Sequence, residues 1–240
     1  MKLNAYLIII VTMSLSLMSC DQASLKKVMD TVGSAAGLTE GDIAKGLKEA
    51  LDLGVGDAVS FLSKDNGYYK STYKILLPDE AQNVIDKLSF IPGFEKVEET
   101  LVKKINQGAE DAAKKAGPIF LSAIKGMSIG DATKILMGNR DAATQYLHNK
   151  TYTSLYNEFS PVLENSLNKY GALDYWTKAV TKYNSLPLVK DVNPDLADHI
   201  NSKALVGMFD LIEKKEEGIR SDVSQRSTDL LKKVFAKQDN

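Results

Sequence analysis

Apolar residues spaced three or four apart limit this chain more than any other feature. Ile43, Leu47, Leu51, Val55, Ala58 and Leu62 form one such series, the period of a single face of an α-helix. The spacing returns in Leu101, Ile105, Ala109, Ala112 and Ala116. It returns again in Tyr152, Leu155, Phe159, Val162, Leu163 and Ser166, and in Leu205, Met208, Phe209, Ile212, Ile219 and Val223. No series of alternating strand patterns accompanies it; only "YKILLP" and "PLVKDV" look strand-like, and both are short. The expected fold class is all-α, a single compact domain of about eight to ten helices with no substantial sheet. The chain has 240 residues, enough to bury a sizeable core without covalent staples. Its single cysteine excludes an internal disulfide.

Punctuation residues divide the chain further. Thr39-Glu40-Gly41-Asp42 is a helix-start signature, a hydroxyl cap with an acid three residues on, and the domain is expected to span 39–240. Asn66-Gly67 marks a turn after the first helix. A helix is expected over Asp79–Leu88, and a long one from Glu95 that Pro118 kinks or restarts. Ser128-Ile129-Gly130-Asp131 is a second capping box, opening a short helix to Met137. Further helices are expected over Asp141–Asn149, from about Tyr152 to Gly171, and over Leu173–Tyr183. After the connector "LPLVKDVNPD", a long helix runs from Asp195 to about Asp222, and a last one over Thr228–Phe235. No fixed-period repeat is visible, which excludes a solenoid.

The start of the chain reads as an address. Residues 1–19 place Lys2 ahead of an apolar run too short for a comfortable membrane span, the layout of an export signal. Leu17-Met18-Ser19-Cys20 resembles a bacterial lipobox, so Cys20 is the expected lipidation site. Acylation there gives stable anchoring, each buried methylene adding roughly 0.8 kcal/mol. Residues 20–38, with Gly33, Gly37 and several Ser and Ala, read as a tether.

Tests for chemistry mostly exclude. Lys plus Arg is 30 and Asp plus Glu is 31, and the basic residues are scattered, so nucleic acid is not an expected partner. His148 and His199 each fall on the polar side of a stripe, without paired Cys or HExxH, so no metal or cofactor site is expected. "GVGDAV" lies inside a helical stripe and is no dinucleotide loop. The aromatic run from Tyr146 to Tyr183 reads mostly as core, because Tyr152, Phe159 and Tyr170 share one stripe. One group is out of place: Glu216 falls about 40° from Ile212 on the helical wheel, inside the apolar stripe. A carboxylate there needs a partner. Arg220 can reach it along the helix, and Arg226 from the following turn. These three form a candidate buried charge cluster, read first as a structural pair and second as an enzyme site.

The stretches "LTEGDIAKGLKEALDLGVGDAV", "GPIFLSAIKGMSIGDATKIL", "DAATQYLHNKT", "YNSLPLV" and "EEGIRSDVSQRSTDLLKKVF" occur in that order. Through them the chain resembles the bacterial domain of unknown function 4197. The resemblance implies a helical envelope protein and assigns no activity. The leading expectation is an envelope lipoprotein whose domain binds or scaffolds. Its partners would be the membrane, through the lipid anchor, and an envelope protein. The alternatives are an enzyme around Glu216, or a carrier of an apolar ligand held between the Ala-rich helix and the aromatic segment.

Overall fold

The computed structural model describes residues 37–192 and 196–239. The expected signal peptide, Cys20, nearly all of the tether and the expected helix start at Asp195 lie outside the described residues. One compact unit begins at Glu40. Among the described residues it contains nine α-helices and no strand, as the periodicity predicts. They are α1 (Glu40–Leu62), α2 (Asp79–Leu88), α3 (Val97–Ala113), α4 (Ala116–Gly126) and α5 (Ile129–Leu136). The remainder are α6 (Ala142–Lys169), α7 (Ala172–Asn184), α8 (Ala197–Ser221) and α9 (Asp229–Phe235). No helix among the described residues is long and apolar enough to cross a membrane.

Two helices organise the packing. α1 packs against α4, α5, α8 and α9; α6 packs against α3, α4, α7 and α8. α8 lies against both, and its Ala204, Leu205, Met208 and Ile212 are buried. The Ala-rich face of α3 lets α6 approach closely, since a Cβ at Gly108 would stand 3.2 Å from Leu167.

Local chemistry explains the boundaries. Ser128 accepts a hydrogen bond from the Asp131 N–H at 3.0 Å and Asp131 accepts one from the Ser128 N–H at 3.3 Å, closing the expected capping box. Thr228 caps α9 through the Leu231 N–H. Two expectations need correction. The break in the long helix falls at Lys114-Lys115, and Pro118 is the third residue of α4. In a first turn a missing N–H costs no helical bond. The helices expected over Asp141–Asn149 and from Tyr152 are a single helix, α6. Leu147, Thr151, Leu155 and Phe159 continue one buried stripe across the supposed gap, and Thr151 donates to the Leu147 carbonyl. Pro161 lies within α6 and cannot donate to the carbonyl of Asn157, but both residues are exposed and water can serve that oxygen.

In "YKILLP" Tyr73 ends a turn and residues 74–78 run on without helix or strand pairing. Its partner is a side chain. Asn106, fully buried on α3, accepts from the Ile75 N–H and donates to the Ile75 carbonyl, both at 2.8 Å. One amide thus supplies both bonds that a neighbouring strand would have made.

The aromatic run is less buried than its stripe suggests. Phe159, Trp176 and Tyr183 belong to the core, whereas Tyr146, Tyr152, Tyr156, Tyr170 and Tyr175 are half-buried. Their rings cover apolar neighbours and keep the hydroxyl at the surface, as at Tyr156, which donates to Asp198.

Candidate functional site

Glu216 stands on α8 where its carboxylate meets the start of α6. That helix begins at Ala142, and the side chain of Asp141 makes no capping bond. The Ala143 N–H donates to Glu216 Oε1 at 2.9 Å, and the Thr144 N–H to Oε2 at 2.7 Å. The Thr144 hydroxyl adds a third bond at 2.8 Å. Two of the N–H groups that a helix start leaves unpaired are therefore satisfied by a residue 72 or 73 positions away. The negative charge also sits at the positive end of the α6 dipole.

Arg220, one turn along α8, completes the arrangement. Its Nε donates to Glu216 Oε1 at 2.9 Å. Its two terminal nitrogens donate to the carbonyls of Leu136 and Ile135, at 3.1 and 2.9 Å. Those carbonyls end α5, so the cation faces the negative end of that helix. The pair joins the end of α5 to the start of α6 across the turn between them. Both side chains are buried.

Arg226 does not join the pair, contrary to expectation. It is 1% exposed and donates to the carbonyls of Ile219 and Arg220 near the end of α8, at 2.9 and 3.0 Å. Its carboxylate partner is Asp239, 2.7 Å from Nη1. Arg226 holds the Asp239 carboxyl below its usual range. The turn at Val223–Gln225 directs Arg226 back along the α8 terminus instead of toward Glu216.

This geometry suits packing better than catalysis. Each Glu216 oxygen receives two donors, which occupies about four acceptor positions of a carboxylate. The adjoining cavity is about 20 Å³, lined by apolar residues such as Leu47, Ile212 and Phe235 beside Glu216 and Arg220. That space suits one water.

Neither histidine is a bare surface group. His148 is exposed but stacks near Tyr152 and Phe209, ring centroids 4.8 Å from each. His199 is half-buried, and its Nε2–H donates to the Leu76 carbonyl at 3.0 Å. Among the described residues no three His, Cys, Asp or Glu side chains gather as a metal site.

Sequence reasoning passed over a surface along α8. Val206 is 62% exposed. It and Asp210 form a ridge between two grooves. The first, about 730 Å³, is walled by the extended segment with Tyr73 and Leu76 and reaches His199. The second, about 500 Å³, is walled by α6 with His148 and Tyr152. Leu76, 60% exposed, adds a second apolar group to this surface.

The family model described as "Protein of unknown function (DUF4197)" matches residues 37–236. The chain belongs to that family. The DUF4197 match runs from before α1 to the end of α9, so Glu216, Arg220 and the α8 ridge lie within it. No curated protein and no solved structure matches the chain.

Proposed function

We propose that the chain is a lipid-anchored protein of the bacterial envelope whose helical domain docks a partner protein along α8. One observation carries this reading: the exposed Val206 ridge between two open grooves, beside a helical core already filled. An exposed apolar group rimmed by Lys203, Asp210, Glu213 and Lys214 suits a protein surface with charges of both signs. The lipobox-like Leu17-Met18-Ser19-Cys20 supports the anchor. The saturated carboxylate of Glu216 leaves the enzyme alternative without a reactive group there.

The test is crosslinking and affinity recovery of the acylated chain from its own membranes. A single envelope protein is expected to co-purify, and Val206→Glu to reduce its recovery at least about tenfold while the circular dichroism spectrum stays unchanged. Cys20→Ser is expected to abolish acyl labelling and release the chain from the membrane fraction. Equal recovery with Val206→Glu refutes the docking surface; retained labelling with Cys20→Ser refutes the anchor.

A further inference from the structure

The two grooves beside Val206 differ in charge, and the difference selects the kind of partner they hold. On the helical wheel Lys203 and Lys214 fall about 60° and about 80° to one side of Val206, and Glu213 and Phe209 about 20° and about 60° to the other. The groove linings agree with that placement. The groove toward the segment before α2 receives Lys74 and Lys203 against one carboxylate of its own, Asp79. The groove toward α6 receives Asp141 and Glu213 and no lysine or arginine. Asp210 lines both, and its salt bridge to Lys214 at 2.6 Å neutralises it. Arg140, next to Asp141, pairs with Glu217 at 3.6 Å and stays outside the lining. One flank of α8 is thus basic and the other acidic.

These charges are available to a partner. Lys203 and Glu213 are exposed, and neither enters an ion pair among the described residues. Lys74 is exposed and lies over the Tyr69 ring, 4.8 Å from its centroid. Asp141 accepts from the side-chain amide of Gln145, a neutral donor. A group of opposite sign brought to either groove therefore gains a pair without breaking one. Glu216 and Arg220 differ in this respect, since each is already committed to the other.

Shape selects the element that carries those groups. Val206 and Asp210 are four apart, the spacing of a ridge on a helix surface. In ridges-into-grooves packing such a ridge enters the furrow between two rows of side chains on a second helix, which crosses at about −50°. The two rows then descend into the spaces that flank the ridge. A β-strand directs only one row of side chains to a given face and fills only one of those spaces. From Lys203 to Lys214 the face of α8 runs about 16 Å, roughly three turns. We infer that the partner lays one α-helix across α8, with a row of acidic residues over Lys74 and Lys203 and a row of basic residues over Asp141 and Glu213. Small apolar residues between the rows receive Val206. The inference rests on the docking surface proposed above and adds the partner's secondary structure and charge pattern.

Fluorescence anisotropy of three labelled helical peptides against the full chain tests it. The peptides share one apolar stripe. The rows beside it carry Glu on one side and Lys on the other, Glu on both, or Lys on both. The parent chain should bind the mixed peptide at least about fivefold more tightly than either uniform one at low ionic strength, and added salt should shrink that advantage. General attraction to a chain of formal charge −1 would favour the all-Lys peptide instead. Glu213→Lys should move the preference to the all-Glu peptide, and Lys203→Glu to the all-Lys peptide. Val206→Glu should weaken the mixed peptide at least about tenfold. The three positions are exposed, so the variants fold, which an unchanged circular dichroism spectrum checks. No binding, equal affinity for the three peptides, or a preference that ignores the two charge reversals overturns the helix. A parent chain that binds none of them and sediments as a dimer, made monomeric by Val206→Glu, assigns the ridge to a second copy and overturns it as well. The docking surface itself fails separately, when Val206→Glu leaves recovery of the membrane partner unchanged.

Discussion

Glu216→Ala should lower the free energy of unfolding by roughly 3–5 kcal/mol, the loss seen when one member of a buried ion pair is removed. The substitution removes the acceptor for the Ala143 and Thr144 N–H groups and the Thr144 hydroxyl. It also leaves the Arg220 guanidinium buried against α5 with no counter-charge. Arg220→Ala strands the carboxylate and bares the carbonyls of Ile135 and Leu136, so its loss should be of similar size. The double variant should cost less than the sum by about 1–3 kcal/mol, because each single change breaks the same network. Urea denaturation followed by far-ultraviolet circular dichroism supplies all three values. The main competitor is water. The cavity of about 20 Å³ beside Glu216 grows when the side chain is truncated, and a water there could take up the freed donors. A loss under about 1 kcal/mol for Glu216→Ala would show that solvent replaces the carboxylate and that the pair does not fix the α5–α6 turn.

The helical wheel found this pair because it involves short range. Glu216 and Arg220 are four apart, and a carboxylate inside an apolar stripe is visible without knowing what lies opposite. What it caps was not visible. Ala143 and Thr144 are ordinary residues in sequence, and only the tertiary fold brings an α8 carboxylate to the α6 start. Arg226 shows the limit from the other side: its partner, Asp239, lies 13 residues on, and the intervening turn set the direction. Asp141–Asn149 and the helix from Tyr152 look separate in sequence because the apolar series of each stops short of the other. Thr151, buried and bonded back to Leu147, was the residue that joined them. The α8 ridge had no local signature, because its two grooves are walled by segments remote in sequence. Asn106 did leave a trace. Asn106 follows Val102 by four and precedes Ala109 by three, so a polar residue occupied an apolar period on α3.

That trace leads to the second large effect. Asn106→Leu keeps the volume of the side chain and removes both of its bonds to Ile75, leaving a buried N–H and a buried C=O unpaired. At about 1–3 kcal/mol per unsatisfied group, the expected loss is roughly 2–5 kcal/mol. The loss need not be global. The segment 74–78 belongs to no helix or strand and is bonded to α3 through the Asn106 amide, so its cheapest response is to detach locally. Hydrogen exchange distinguishes the two outcomes. Detachment raises exchange at the Ile75 amide by at least about tenfold while helix amides in α6 stay protected. Global destabilisation raises both together. Detachment would also move Leu76 and the carbonyl that His199 holds, and so remove one wall of the groove beside Val206. Partner recovery from membranes should then fall with Asn106→Leu although Asn106 is buried away from that surface. Recovery that stays at the parent level while the Ile75 amide is freed would separate the extended segment from the docking surface.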